Sequence, residues 1–262
     1  MTGGEDDLND PAPEAHVTDQ KVLLIAGGSG SIGSAIARMA LSHGWKVALH
    51  GRTHEKVDAL VTGLSYLGSI DGFLGDIWEE DTAETLVAEV AEQFGRIDAV
   101  VDCTATGPLG ITGLFPETSP ETFGDFLNVS VGWVERLAHA AYNFLSQQGG
   151  TLIAFVSDAG IYAAPRQTLI GAARAGTVGF IRNFAIEAAR DGIRAHAVSS
   201  SYVEGSESAR RMGAERLAEA ARGAGLGLPT ADDIAPLTLF LCSDDAAKIT
   251  GQIISVNGGL NA

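Results

Sequence analysis

Short apolar runs alternate along this chain with longer segments in which apolar residues recur every three or four positions. Such runs are typical of strands buried in a parallel sheet, and they lie at 21–26, 45–50, 72–76, 98–103, 151–157, 194–199 and 252–256. The intervening segments have the spacing of amphipathic helices, and they lie at 32–43, 53–60, 82–94, 122–145, 170–190 and 232–241. This alternation predicts an α/β fold, a doubly wound parallel sheet with helices on both faces.

The predicted strands and helices form one domain over residues 20–262, preceded by an acidic segment over residues 1–19. That segment contains prolines and little apolar surface, so we expect a flexible extension. Residues 204–228 differ from the rest because they are rich in Ala, Gly, Arg and Glu and interrupt the alternation. The sequence shows no internal repeat and predicts no second domain.

The overall charge and the cysteines limit the classes of partner. The formal net charge is −16, which disfavours nucleic acid and anionic membrane surfaces as partners. No apolar run reaches the length of a membrane span. Cys103 and Cys242 lie far apart and form no metal-binding spacing. We therefore expect a cytoplasmic protein without a metal site.

A glycine-rich turn joins the first predicted strand to the first predicted helix. It reads Ala-Gly-Gly-Ser-Gly-Ser-Ile-Gly over residues 26–33. Glycines in such a turn allow the backbone to approach a pyrophosphate, and the free N–H groups of the helix N-terminus favour anions. The pattern therefore predicts a dinucleotide site, the alternative being a glycine-rich turn that binds no nucleotide.

The chain resembles the short-chain dehydrogenase/reductase family from about Lys21 to Ala262. The resemblance is almost residue for residue over 232–244 and 249–259, and Gly27 and Gly33 match the family's phosphate turn. It implies a Rossmann-type domain that transfers a hydride between a nicotinamide cofactor and a small carbonyl or alcohol substrate. It also implies that residues 204–228 form a substrate lid and that the protein is a homodimer or homotetramer.

The end of the second predicted strand bears on the choice of cofactor. Position 51, where NAD-binding members have Asp, is Gly, and Arg52 follows it. An arginine suits a 2′-phosphate, so NADP is favoured over NAD. The resemblance implies that the following residues contact the cofactor: Gly27, Ser29, Gly30, Ser31, Ile32, Gly33, Arg52, Asp76, Ile77, Thr104, Ala105 and Arg174.

The catalytic positions depart from the family's pattern. The family's Tyr-x-x-x-Lys is here Ile170 to Arg174, and its Asn-Asn-Ala-Gly is Asp102-Cys-Thr-Ala105. The asparagine of the long helix is replaced by Ser130, with an asparagine two residues before it. Ser157 matches the family's serine. Isoleucine has no proton to transfer, and arginine stays charged and cannot relay one.

Another side chain could supply the proton that the family's tyrosine supplies. Tyr162 follows Ser157 by five residues, Tyr202 lies where the family contacts the nicotinamide, and Asp158 is adjacent to Ser157. A phenol needs a cationic neighbour to act near neutral pH, and Arg174 is the candidate for either tyrosine. The predicted catalytic residues are therefore Ser157, Arg174, Tyr162 and Tyr202.

Three interpretations of function remain open at this point. The favoured one is an NADP-linked oxidoreductase whose proton donor differs from that of its relatives. The second is a non-redox lyase or isomerase, and the third is a nucleotide-binding subunit without activity. The fold alone does not choose among them.

Overall fold

Parallel strands form one sheet, in the order β3-β2-β1-β4-β5-β6-β7, in this computed structural model, which describes residues 20–104 and 110–261. The predicted extension at 1–19 and the predicted cofactor contact Ala105 lie outside the described residues. The strands are β1 Val22–Ala26, β2 Lys46–Gly51, β3 Ile70–Leu74, β4 Ala99–Asp102, β5 Thr151–Ser157, β6 Arg194–Ser200 and β7 Ile253–Ser255. The predicted doubly wound parallel sheet is therefore confirmed.

Helices cover both faces of the sheet. They are α1 Ser31–Ser42, α2 His54–Leu64, α3 Thr82–Phe94, α4 Phe123–Leu127, α5 Trp133–Gln148, α6 Thr168–Ala188, α7 Glu207–Met212, α8 Ala214–Gly223 and α9 Ala231–Cys242. One apolar cluster joins the sheet to α1, α2 and α9, and a second joins it to α3, α5 and α6. The order of the strands reverses at β1 and β4, which places a crevice beyond their carboxyl ends.

The predicted helix at 122–145 is wrong in one respect, because it is not a single α-helix. The five residues Asn128–Gly132 form a π-helical turn between α4 and α5. This turn directs Ser130 into the interior, while Asn128 stays exposed and its Oδ1 accepts a hydrogen bond from Arg136 at 3.3 Å. The spacing of apolar residues does not distinguish a single π-helical turn from an α-helical turn, so the sequence does not predict the π turn.

The segment predicted as a lid contains two short helices. Helix α7 is capped by Ser206, whose side chain accepts a hydrogen bond from Ala209 N at 3.1 Å. Gly213, with φ of 89°, separates α7 from α8, a backbone conformation that glycine adopts without strain. In the described part of the chain, no helix has both the length and the apolarity to cross a membrane.

His196 on β6 is a fully buried ionisable group in the sheet. Burial, together with the nearby charge of Arg194, lowers the pKa of His196 from 6.5 to about 4. Between these two values the unfolded chain binds the proton and the folded chain does not. Acidification through this range therefore favours unfolding.

We expect the free energy of unfolding to fall on acidification from pH 7 to pH 5, with His196 contributing about 2 kcal/mol of the fall. Urea unfolding at both pH values measures it. His196→Leu removes that contribution, whereas His139→Gln, at an exposed position, leaves it in place. A pH dependence that is the same in wild type and His196→Leu contradicts the prediction.

Candidate functional site

The turn between β1 and α1 is built by close backbone approaches. Gly27 has φ of 73°, and a Cβ there would lie 2.9 Å from Thr104 N at the end of β4. A Cβ on Gly33 would lie 2.6 Å from the Gly28 Cα. Helix α1 has Gly30 as its N-cap, with no side-chain cap and no acid in its first turn. The N–H groups at its start are therefore open to an anion.

A cleft of about 260 Å³ extends from this turn across the carboxyl ends of β1, β2 and β3. Every predicted cofactor-binding residue in the described part of the chain lines this cleft, except Arg174. The structure thus brings together residues from four separate stretches of sequence, around positions 30, 52, 76 and 104. Their convergence follows from the parallel register of β1, β2, β3 and β4.

A side chain at the end of β2 would have to displace its neighbours. A Cβ at Gly51 would lie 2.7 Å from the Ser29 Oγ and 2.9 Å from the Val57 Cγ2. The next residue, Arg52, is exposed on the rim of the cleft, and its Nη1 lies 3.7 Å from the Asp76 Oδ2. This corner of the cleft therefore presents a cation where an NAD-binding relative presents a carboxylate.

The end of β4 carries a buried carboxylate, Asp102. Its Oδ1 accepts hydrogen bonds from Trp133 Nε1 at 3.0 Å, Thr104 Oγ1 at 2.7 Å and Thr104 N at 3.2 Å. Its Oδ2 is buried without a hydrogen-bond partner among the described residues. Burial raises the pKa of Asp102, while these hydrogen bonds and the charge of Arg174 oppose the rise.

Arg174 on α6 lies beside this carboxylate and lines neither of the clefts described here. Its Nη2 donates a hydrogen bond to Thr104 O at 3.4 Å. Burial lowers the pKa of Arg174, and the charge of Asp102 raises it. Asp102 and Arg174, predicted to stand in the places of the family's asparagine and lysine, therefore lie close enough for their opposite charges to interact. The structure does not bring Arg174 into the cleft that contains Tyr162 and Tyr202.

A buried histidine connects Asp102 to the glycine-rich turn. The ring of His50 stacks on that of Trp133 with a centroid distance of 6.1 Å, and its Nδ1 accepts from Gly27 N at 3.4 Å. Burial lowers the pKa of His50. A neutral ring keeps the lone pair on Nδ1 that Gly27 needs. The glycine-rich turn and the end of β4 thus share one polar network.

Three of the four predicted catalytic residues line a second cleft, of about 380 Å³. Ser157 lies at the end of β5, where its Oγ accepts from Ala159 N at 3.3 Å, and Tyr162 and Tyr202 line the same cleft. Helix α8 contributes Arg216 to the lining of this cleft. Ile170, at the position predicted to match the family's tyrosine, packs against the apolar core. The hydroxyl groups available in this cleft are therefore those of serines and tyrosines.

Asp158, next to Ser157, has three hydrogen-bond donors and is 3% exposed. It accepts from Ser199 Oγ at 2.6 Å, Asn257 Nδ2 at 2.7 Å and Asn261 Nδ2 at 2.9 Å. These contacts join the turn after β5 to β6 and to the residues after β7. A carboxylate with all of these contacts has a structural role that the sequence did not reveal.

The first cleft also contains charged residues that the sequence interpretation missed. Lys56 lies in the first turn of α2, four residues after Arg52, and this spacing could have identified it. Glu207 and Arg211 belong to α7, and no pattern in the sequence predicts that this helix lies near the glycine-rich turn.

Comparison with known proteins shows that the chain is similar to reductases and dehydrogenases over most of its length. A family model described as "Enoyl-(Acyl carrier protein) reductase" matches residues 26–261. The 3-oxoacyl-[acyl-carrier-protein] reductase FabG of Thermotoga maritima is 30% identical over 252 residues, covering 92% of this chain and 97% of the relative. Dehydrogenase/reductase SDR family member 4 of Sus scrofa is 28% identical, covering 92% of this chain and 87% of that protein.

Solved structures share the fold. A short-chain type dehydrogenase/reductase from Mycobacterium ulcerans superposes with a TM-score of 0.85 at 22% identity, covering 92% of this chain and 89% of that one. ElxO with NADP bound superposes with a TM-score of 0.82 at 23% identity, covering 92% and 98%. At these identities the likeness establishes the arrangement of strands and helices.

We expect Asp158→Asn to lower the free energy of unfolding by about 1–3 kcal/mol, because an amide then faces buried donors that lose their acceptor. Urea unfolding at pH 7 measures the loss. The matched control is Asp232→Asn, which removes an exposed ion pair with Arg38 and is expected to cost at most about 1 kcal/mol. Equal losses in the two variants would show that the Asp158 contacts contribute no more than a surface pair.

Proposed function

Since the chain belongs to the short-chain dehydrogenase/reductase family, we propose that it is an NADP-dependent oxidoreductase acting on a small carbonyl or alcohol substrate. The observation that carries the proposal is the first cleft. It joins an open helix N-terminus to Arg52, which follows Gly51, so that a cation and no carboxylate stands at the end of β2. This combination is what a dinucleotide with a 2′-phosphate requires.

The residues of the first cleft fit the parts of such a cofactor. The N–H groups from Ser31 to Gly33 are available to the pyrophosphate, since no side chain caps α1. Arg52 is proposed to bind the 2′-phosphate through its guanidinium. Asp76, which follows β3, is proposed to contact the adenosine. ElxO, which shares the fold, has been solved with NADP bound. The cofactor supplies or accepts the hydride, and the chain's own residues must orient the substrate and move the proton.

The second cleft is the proposed place for the substrate. Ser157 Oγ can donate a hydrogen bond to a carbonyl oxygen there, because the hydrogen bond from Ala159 N uses only a lone pair of that oxygen. Tyr162 and Tyr202 are the phenols of this cleft and are the proposed proton donors, with Arg216 of α8, which lines the same cleft, as the cationic neighbour in place of Arg174. Arg174, held beside Asp102, offers a fixed charge near Thr104 and transfers no proton.

A second candidate function is nucleotide binding without turnover. The observation that favours it is Ile170, whose side chain packs against the apolar core where the family's tyrosine would provide a hydroxyl. In that case the chain would bind the dinucleotide as proposed and would transfer no hydride. A non-redox lyase or isomerase remains a further alternative on the same scaffold, without an observation of its own.

We expect NADP and NADPH to raise the melting temperature of the full chain more than NAD and NADH, because only they carry a 2′-phosphate for Arg52. Arg52→Gln should weaken NADPH binding about ten-fold or more, in line with the roughly 1.5–3 kcal/mol of a hydrogen bond to a charged group. It should leave NADH binding unchanged. If none of the four dinucleotides shifts the melting temperature, the proposed function is wrong.

We expect one of the two tyrosines to be the proton donor, so that Tyr162→Phe or Tyr202→Phe lowers kcat by about 10²-fold or more with a panel of carbonyl substrates and NADPH. Binding of NADPH should be unaffected. Tyr66→Phe, at a residue that is 79% exposed, is the control. Unchanged turnover in both single variants and in the double variant would exclude the tyrosines, and the absence of turnover in wild type would favour binding without catalysis.

A further inference from the structure

The lid segment borders both clefts through its two helices. Ser206, Glu207, Ser208 and Arg211, at the start and along one side of α7, line the first cleft. Arg216, Glu219, Ala220 and Gly223 of α8 line the second cleft together with Ser157. Only Gly213 separates the two helices. A ligand that holds α7 in place therefore also limits the position of α8.

Three cations from different elements face the first cleft. Arg52 ends the turn after β2, Lys56 lies in the first turn of α2, and Arg211 lies in the last turn of α7. Arg52 alone is a weak site for a dianion, because Asp76 lies 3.7 Å from it and the whole chain carries a charge of −16. Binding a phosphate in this surrounding requires additional local positive charge.

Glu207 lies among these cations and pairs with Arg211. Arg211 Nη2 donates a hydrogen bond to Glu207 Oε1 one helical turn away. The hydrogen bond and charge of Arg211, and then the charge of Lys56, lower the pKa of Glu207. Both partners are more than 60% exposed, with side-chain exposures of 64% and 61%. An exposed pair of this kind is weak and easily exchanged for a stronger partner.

We propose that Arg211 of the lid is a specificity-determining residue for the 2′-phosphate of NADP, completing a site with Arg52 and Lys56, and that Glu207 competes with the phosphate for it. The inference rests on the proposed function. A guanidinium pairs with phosphate through two parallel hydrogen bonds and a full charge, which an exposed carboxylate pair does not match. Binding of the phosphate therefore releases Arg211 from Glu207 and draws α7 toward the end of β2.

The proposal makes opposite predictions for the two partners. Arg211→Gln should weaken NADPH binding ten-fold or more and leave NADH binding within two-fold of wild type. Glu207→Gln removes the competitor and a negative charge, so it should strengthen NADPH binding several-fold and change NADH binding less. Isothermal titration calorimetry on the full chain measures all of these constants, and the melting temperature of each variant checks its folding.

Arg210→Gln is the matched control, since it removes the same charge from the same helix. Arg210 Nη1 donates to Gly205 O at 3.0 Å and does not line the cleft. Its NADPH affinity should stay within two-fold of wild type. Equal losses in Arg210→Gln and Arg211→Gln, or no loss in Arg211→Gln, overturn the role of Arg211 while leaving NADP binding intact. A wild-type chain that binds no dinucleotide overturns the proposed function itself.

Discussion

The close approach of the β1 turn to the end of β4 is the constraint on which the rest of the site depends. Gly27 leaves no space for a side chain against Thr104, and Gly28 N donates to His50 O at 2.8 Å, which ties the same turn to β2. Three strand ends are thereby brought together at the reversal of the strand order. This contact opens the start of α1 toward the first cleft, where its free N–H groups favour an anion.

The sequence predicted the elements that depend on local pattern. The apolar run predicted at 151–157 is β5, with the same bounds, and the glycine-rich turn lies where it was predicted. Both could be predicted because a buried parallel strand requires a continuous apolar run and a tight turn requires glycine. The π turn at 128–132 and the approach of Arg211 to the first cleft were missed. Apolar spacing does not distinguish a π turn from a normal helical turn, and a contact between segments far apart in sequence produces no periodic pattern.

The unusual residues at the end of β4 form a coherent set. Asp102 accepts a hydrogen bond from Trp133 and lies close enough to Arg174 for the two charges to interact. A buried carboxylate is costly unless donors and a cation surround it. Donors reach Asp102 Oδ1 and a cation lies nearby, while Oδ2 has no hydrogen-bond partner among the described residues.

The contacts of Asp158 also have a consequence for the synthesis of the chain. Its partner Asn261 lies 103 residues further along the sequence. Chains are extended by about 5–20 residues per second from the N-terminus, so the turn that carries Ser157 waits roughly 5–20 seconds for this partner. On the ribosome, this turn can therefore reach its final set of contacts only after residue 261 has been made.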